Sequence, residues 1–364
     1  MARIAVYALT RAGARLGRRL AAALGGELHL PGRLGPGPGE PGFTSLPARV
    51  AETFETHRGH VFICAAGIAV RAIAPRLVSK DKDPAVVVLD EAGRFAISLL
   101  SGHLGGANDL TLAVAEAVGA TPVITTATDT AGLPAVDVLA RRSGLAVADV
   151  SRIKHVSASL LDGRAVALFD PEERLGARDD PALAAHFEHV ADPALLDPEQ
   201  PSVWVHWKRP PRGLAQGKLL ALHPRVLAAG VGCRRGASAD EILTALRAAM
   251  GRRGLSMDSL ACLASIELKA SEPGLAAAAA ELGLALVTFP AADLDRVQAP
   301  NPSARVKAEV GTASVAEAAA LLAAGGARHG RLLAPKEKHG NVTVAVALSR
   351  APLDIDSREK TWRD

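Results

Sequence analysis

Chemistry-bearing side chains crowd into one short stretch, Ser101-Gly102-His103-Leu104-Gly105-Gly106-Ala107-Asn108-Asp109. His103 can move protons near neutral pH. It stands in a turn of small residues between an apolar run, Phe95–Leu100, and an apolar-periodic run, Ala107–Val118. Strand, glycine turn and helix in that order expose backbone N–H groups where an anion or a developing negative charge is favoured. Two carboxylates, Asp90 and Asp129, close other apolar runs and can orient His103 or a water. Each also has a plainer role, His103 as a turn cap and the aspartates as helix or turn caps. Asn108 and Asp109 fall in the first helical turn, where such residues often serve the helix itself.

The elements that position these residues follow from the pattern of apolar runs. Arg3–Leu9, Val61–Cys64, Ala85–Asp90 and Thr121–Thr126 read as buried strands, and Ala14–Leu24 as a helix with leucines four apart. Pro31–Gly42, rich in Gly and Pro, reads as a mobile loop. Strands alternating with helices predict a doubly wound α/β sheet whose ligands sit beyond the strand carboxyl ends. Cys64–Gly67, Asp90, Ser101–Gly106 and Thr125–Asp129 are all expected at that edge, in one cleft.

The expected organisation is an N-terminal doubly wound, Rossmann-like three-layer domain (1–145), a small α/β middle domain (146–224), a C-terminal three-layer α/β domain (225–348) and a charged tail (349–364). In the C-terminal part, strands are read at Val226–Val231, Leu260–Ile266, Leu284–Phe289, Arg331–Pro335 and Val342–Leu348. Lys336, Glu337 and Lys338 fall between the last two. Ser238–Glu241 reads as a capping box, and Ser314–Glu317 as a second.

Composition narrows the function. A length of 364 residues implies several domains, and aromatics at 3% leave cores of Ala, Val, Leu and Ile. The net charge of +4 comes without a basic run or aromatics for base stacking, which argues against nucleic acid. Cationic residues at strand ends suit a small ligand carrying several carboxylates, because Arg makes bidentate charge-assisted bonds. Cys64, Cys233 and Cys262 are far apart and form no C-x-x-C. A disulfide framework and a metal site are therefore not expected, and a reducing cytoplasm is. Cys64 and Cys233 read as packing residues. No apolar run reaches the ~18 residues of a membrane span.

Longer motifs then carry a family resemblance. Val61-Phe62-Ile63-Cys64-Ala65-Ala66-Gly67-Ile68, Leu99 to Asn108 and Pro122 to Asp129 resemble the N-terminal domain of the cobalt-precorrin-5A hydrolase (CbiG) family. Gly230 to Gly236, Leu263 to Glu272, Val310 to Ala319 and Lys336 to Val346 resemble its C-terminal domain, which is also similar to CobE-type proteins. The resemblance implies a cobalt-bearing polycarboxylate corrinoid with a δ-lactone as substrate. Water opens the lactone, acetaldehyde leaves, and cobalt-precorrin-5B is formed. It implies no cofactor of the protein's own, since the cobalt arrives with the substrate.

On this reading His103 activates water, Asp90 or Asp129 orients it, and the backbone N–H groups of Gly105 and Gly106 hold the oxyanion. Substrate contacts are expected from Gly67, Arg71, Ser101, Gly105, Gly106, Asn108, Thr125 and Thr126 in the first domain. In the last domain they are expected from Arg234, Arg235, Lys269, Glu272, Asn301 and Lys336. A homodimer and transient contact with neighbouring pathway methyltransferases accompany this reading. A non-catalytic corrinoid carrier or scaffold is the alternative, and His103 favours the enzyme, since a carrier needs no proton-transfer group. Nucleotide binding ranks last, for want of G-x-x-x-x-G-K-[ST] and G-x-G-x-x-G.

Overall fold

A computed structural model describes residues 4–79, 82–103, 105–326, 329–351 and 353. Arg3, Leu104 and most of the tail expected from 349 onward lie outside the described residues. The chain divides into two compact units, one running to Leu139 and including Leu160–Gly163, the other holding the remainder.

The first unit is built on seven strands, β1 (Ile4–Ala8), β2 (Glu27–Pro31), β3 (Gly42–Phe43), β4 (Gly59–Ile63), β5 (Ala85–Leu89), β6 (Phe95–Leu100) and β7 (Thr121–Val123). Their spatial order is β3-β2-β1-β4-β5-β6-β7. Side chains alternate between two cores, as a pleated strand requires. Ile4, Val6, Ala8, Val61, Ile63, Val87 and Leu89 face helices α1 (Arg11–Leu24) and Val114 and Ala115 further along the chain. Ala5, Tyr7, Phe62, Cys64, Val86 and Val88 face α2 (Leu46–Thr53) and α3 (Ala66–Ile73). Helices on both faces make the expected three layers. Three further helices complete the unit, α4 (Ala107–Val118), α5 (Ala127–Thr130) and α6 (Val136–Arg142), the last of which runs across the boundary between the units.

The sheet is mainly parallel, with one antiparallel step. β1, β2, β3, β4 and β5 pair in parallel, β6 pairs antiparallel with β5, and β7 pairs parallel with β6. Only residues 90–94 join β5 to β6, and a parallel crossover needs a dozen or more. The last two strands therefore point the other way. Pro31–Gly42 also differs from the loop expected: β2 runs into Pro31, a 3-10 turn covers Gly32–Leu34, and β3 begins at Gly42. Pro31 fits there because it is the last residue of β2 and lies past the pairing of β2 with β1, so its missing N–H breaks no ladder bond. β2 and α2 are short elements that the sequence reading did not include.

The second unit holds two sheets. In one, β8 (Leu145–Val147), β9 (Val166–Phe169), β10 (Phe187–His189), β11 (Ser202–Val205) and β12 (Leu219–Pro224) run in the order β10-β9-β11-β12-β8. In the other, β13 (Leu227–Cys233), β14 (Leu260–Ile266), β15 (Ala285–Phe289), β16 (Gly330–His339) and β17 (Val342–Ser349) run β15-β14-β13-β17-β16. Trp207, which follows β11, packs into the core of the second sheet. Helix Ala316–Ala323 packs against β13 so closely that a Cβ on Gly230 would collide with the carbonyl of Ala316 and lie 2.7 Å from the nitrogen of Ala320. Lys336, Glu337 and Lys338 lie inside β16 rather than beyond it, beside a register shift that lets the strand absorb them.

Candidate functional site

Because β6 and β7 are parallel to each other, their carboxyl ends share one edge and deliver His103 and Asp129 together. His103 Nε2 lies 2.7 Å from Asp129 Oδ2. The same oxygen accepts from Asn108 Nδ2 at 3.1 Å and from the Thr126 hydroxyl. Asn108 Nδ2 also reaches Thr126 Oγ1 at 3.0 Å, and Ser98 Oγ donates to Asn108 Oδ1 at 2.7 Å. Ser98 thus sets the amide orientation, the amide points its N–H groups at Asp129, and Asp129 must take a proton donor from the ring. The neutral ring then carries its lone pair on Nδ1. Partial burial pushes the Asp129 carboxyl up, but hydrogen bonds from Thr126 and His103 outweigh it, and its pKa lies below the usual carboxylate value. The His103 side chain is 18% exposed and that of Asp129 38%, so solvent and ligand can reach the pair.

The turn that presents His103 is tightly closed. Ser101 adopts a left-handed φ of 58°, which non-glycine residues rarely take up. A Cβ on Gly105 would meet the Ser101 side chain and lie 2.8 Å from its carbonyl oxygen. Gly106 N donates to His103 O at 3.0 Å, Ala107 N to Ser101 O at 3.0 Å, and Asn108 N to Gly102 O at 2.9 Å. The expected oxyanion donor Gly106 is therefore already committed, because the turn consumes its own N–H groups to bend. Thr125 is exposed beside the cluster.

Asp90 is not part of it. Its carboxylate accepts from the backbone N–H groups of Arg94 and Phe95, both at 2.7 Å, and closes the β5–β6 hairpin. Burial raises its carboxyl, and the Phe95 and Arg94 N–H groups more than reverse this. β6 carries the chain away from Asp90 for six residue steps from Phe95, roughly 20 Å, before Ser101 is reached. Helix α3 starts after β4 at the Asp90 end of the sheet, with Gly67 in its first turn and the exposed Arg71 in its last. The single cleft expected from the sequence is thus two opposite edges, since β5 and β6 run in opposite directions.

One residue at the His103 edge escaped the sequence reading. Asp137, in the first turn of α6, is 3% exposed, and its Oδ1 lies 3.5 Å from His103 Nδ1. A lone carboxylate inside the apolar run Pro134–Ala140 was the available signal.

In the second unit, the expected cationic residues gather at the carboxyl-end edge of β13 and β14. Lys269 Nζ donates to Glu272 Oε2 at 2.8 Å, and Gly236 N to Glu272 Oε1 at 2.8 Å. The Lys269 hydrogen bond comes first among the causes that lower the Glu272 pKa, with Gly236 N–H next and Arg235 contributing charge. Arg234 and Arg235 are exposed in the turn after β13. Asn301 and Lys336 meet on a buried carboxylate that was read from sequence as a helix cap. Glu317 accepts from Asn301 Nδ2 at 2.7 Å, Asn301 N at 3.0 Å and Lys336 N at 2.9 Å, while Lys336 Nζ donates to Asn301 O at 2.6 Å. The Ser238–Glu241 capping box forms as read; Ser314 makes no such box, because Glu317 is turned inward.

The cysteines pack. Burial pushes the Cys64 thiol up to about 11 and also raises that of Cys233. Among the described residues, Glu27, His29 and His57 bring three potential metal-ligand atoms within 4.8 Å of one another. Arg49 Nε, however, donates to His29 Nδ1 at 3.0 Å, which keeps the ring proton on Nε2, the atom an ion would need. Burial, followed by the charge of Arg49, pushes His29 down to about 4, so the ring is neutral, with its proton on that nitrogen. Two open clefts of the second unit, of about 760 and 620 Å³, contain none of the expected residues. The smaller is lined by Arg152, Arg209 and Arg212.

Comparison with known proteins places this architecture. Three family models match in succession: Cobalamin synthesis G N-terminal over 48–129, Cobalamin biosynthesis central region over 134–224, and Cobalamin synthesis G C-terminus over 227–347. A cobalt-precorrin-5A hydrolase of Priestia megaterium is 36% identical over 301 residues, 81% of this chain and 79% of that protein. One of Salmonella typhimurium is 35% identical over 361 residues, 94% of this chain and 97% of that protein. Protein CobE of Sinorhizobium sp is 33% identical over 123 residues, 33% of this chain and 79% of that protein. With the succession of domains and the His103 motif in place, the chain belongs to the cobalt-precorrin-5A hydrolase (CbiG) family.

Proposed function

We propose that this chain is a cobalt-precorrin-5A hydrolase of cobalamin biosynthesis, with His103 as the group that activates water. The observation that carries the role of His103 is the 2.7 Å pair between its Nε2 and Asp129 Oδ2 in a solvent-accessible turn. With the Nε2 proton engaged, Nδ1 takes a proton from water as the water oxygen bonds to the lactone carbonyl carbon. The ring-side C–O bond of the tetrahedral adduct then breaks, leaving a carboxylic acid and an alkoxide on the bridge carbon. That alkoxide collapses to acetaldehyde as the bond to the macrocycle breaks, and the macrocycle keeps the electron pair and takes up a proton. No oxidant or reductant is required. A positioned general base contributes ~10²–10⁴ in rate.

The reading needs no resident cofactor, because the cobalt is part of the substrate. The small net positive charge favours the approach of a polycarboxylate substrate, and Arg234 and Arg235 are exposed cations able to pair with carboxylates. No helix among the described residues is long and apolar enough to cross a membrane. We place the reaction in the cytoplasm, in a homodimer that meets a pathway methyltransferase for hand-over of the substrate. Size-exclusion chromatography with light scattering checks the dimer.

The test is acetaldehyde release from the cobalt-bound lactone by purified protein, followed with the corrinoid spectrum. One acetaldehyde per lactone opened, with repeated turnover, is the expected result. Tight corrinoid binding without acetaldehyde overturns the hydrolase and leaves a carrier.

A further inference from the structure

Asp137 is an anomaly in the state described. A carboxylate 3% exposed belongs among hydrogen-bond donors or cations, because burying an ionised group without them is unfavourable. Its Oδ1 nevertheless has no hydrogen-bond partner. What it faces is His103 Nδ1, 3.5 Å away, too far for a hydrogen bond. In the neutral ring held by Asp129 this nitrogen carries a lone pair, which offers a carboxylate nothing.

The arrangement becomes favourable once Nδ1 carries a proton. Once Nδ1 has taken the proton of water, the ring is an imidazolium whose Nδ1 lies 3.5 Å from a carboxylate oxygen able to accept its N–H. Closing the remaining gap to a hydrogen-bond length takes less than 1 Å, within reach of a small ring rotation. A buried acceptor left unsatisfied in the resting state and satisfied in the charged one stabilises the reaction path rather than the ground state.

We propose that Asp137 is a positioning residue for the hydrolysis: its buried carboxylate receives the Nδ1–H of His103 after water gives up its proton, and so makes Nδ1 the working nitrogen. This rests on the role of His103 given above. The step is a proton transfer from water to Nδ1 with no change in electron count, and the proton is later given to the macrocycle, which keeps the electron pair when acetaldehyde leaves. Among the described residues, the titratable groups facing the ring are Asp129, from α5, at Nε2 and Asp137, from α6, at Nδ1. Thr128 adds a neutral hydroxyl 3.4 Å from Nε2.

The experiment measures acetaldehyde release against pH for wild type, Asp137→Asn, Asp137→Glu and His103→Ala, all as the full chain. Asp137→Asn keeps the shape and removes the charge. It is expected to lower kcat about 10- to 100-fold with KM changed less than about twofold, and to move the acid limb of the kcat/KM profile to lower pH by on the order of one unit. Asp137→Glu is expected to restore part of kcat and part of the shift, which a merely structural role would not do. Nitrogen NMR of wild-type His103 should report the Nε2–H tautomer. If Asp137→Asn has a wild-type kcat and profile while His103→Ala is inactive, the Asp137 proposal is wrong and the hydrolase reading stands. If His103→Ala is fully active, both the role of His103 and that of Asp137 are wrong. Should Asp137→Asn fail to fold, an Asp137→Glu profile identical to wild type, or an Nδ1–H tautomer in the wild-type ring, overturns the proposal.

Discussion

Asp129 Oδ2 receives the His103 ring, the Asn108 amide and the Thr126 hydroxyl at once, which makes it the fixed point of the site. Replacing it with Asn puts an amide where three donors converge, so one of them loses its acceptor and the ring is no longer held in the Nε2–H form. Asp129→Asn and His103→Ala should each reduce acetaldehyde release by about 10²–10⁴. Residues that act as a unit are non-additive, so the double variant should be no slower than the worse single one. Losses that multiply in the double variant would mean the two act independently. His103, Asn108 and Asp129 were legible in the sequence as polar residues set among small and apolar ones. Asp90 looked equivalent to Asp129 in type and position, and what separates them is the direction of one strand.

That direction is decided at the scale of the element. Asp90-Glu91-Ala92-Gly93-Arg94 between two apolar runs is a turn signal, and Gly93 adopts a left-handed φ of 68°. Weighed as a hairpin, it would have placed Asp90 and His103 at opposite edges from the sequence alone. The loop from Ser101 to Gly106 obeys steric rules that can be checked by substitution. Gly105→Ala pushes a methyl group into Ser101 and toward the Asp83 carbonyl, 3.2 Å from the built Cβ. Urea denaturation should show a loss of about 1–3 kcal/mol. Gly213→Ala meets nothing within 4 Å and serves as the control, neutral or slightly stabilising. Equal effects for the two would remove close packing as the reason for Gly105.

Across the whole molecule, buried histidines tie stability to pH. Burial foremost pushes His29, His60 and His206 each down to about 4, and the first two lie in one unit, the third in the other. In the unfolded chain they titrate near 6.5. Between those values the unfolded state binds more protons than the native one, so stability rises with pH over that window. The contribution is complete above about 6.5 and is lost as pH falls toward 4, at most on the order of 3 kcal/mol per histidine. Thermal unfolding should therefore show Tm falling between pH 6.5 and 4, and His60→Gln should flatten the slope in the first unit. A Tm independent of pH across this window would contradict the burial of the rings. By itself the sequence determined the α/β class, most strands, the motif around His103 and the family, because these rest on periodicities of two and 3.6 residues and on local runs of residue types. Strand sense, the commitment of Gly106 N–H, the inward turn of Glu317 and the approach of Asp137 to His103 were decided only by tertiary structure. Each depends on which residues distant along the chain come within a few ångströms, and local pattern carries no record of that.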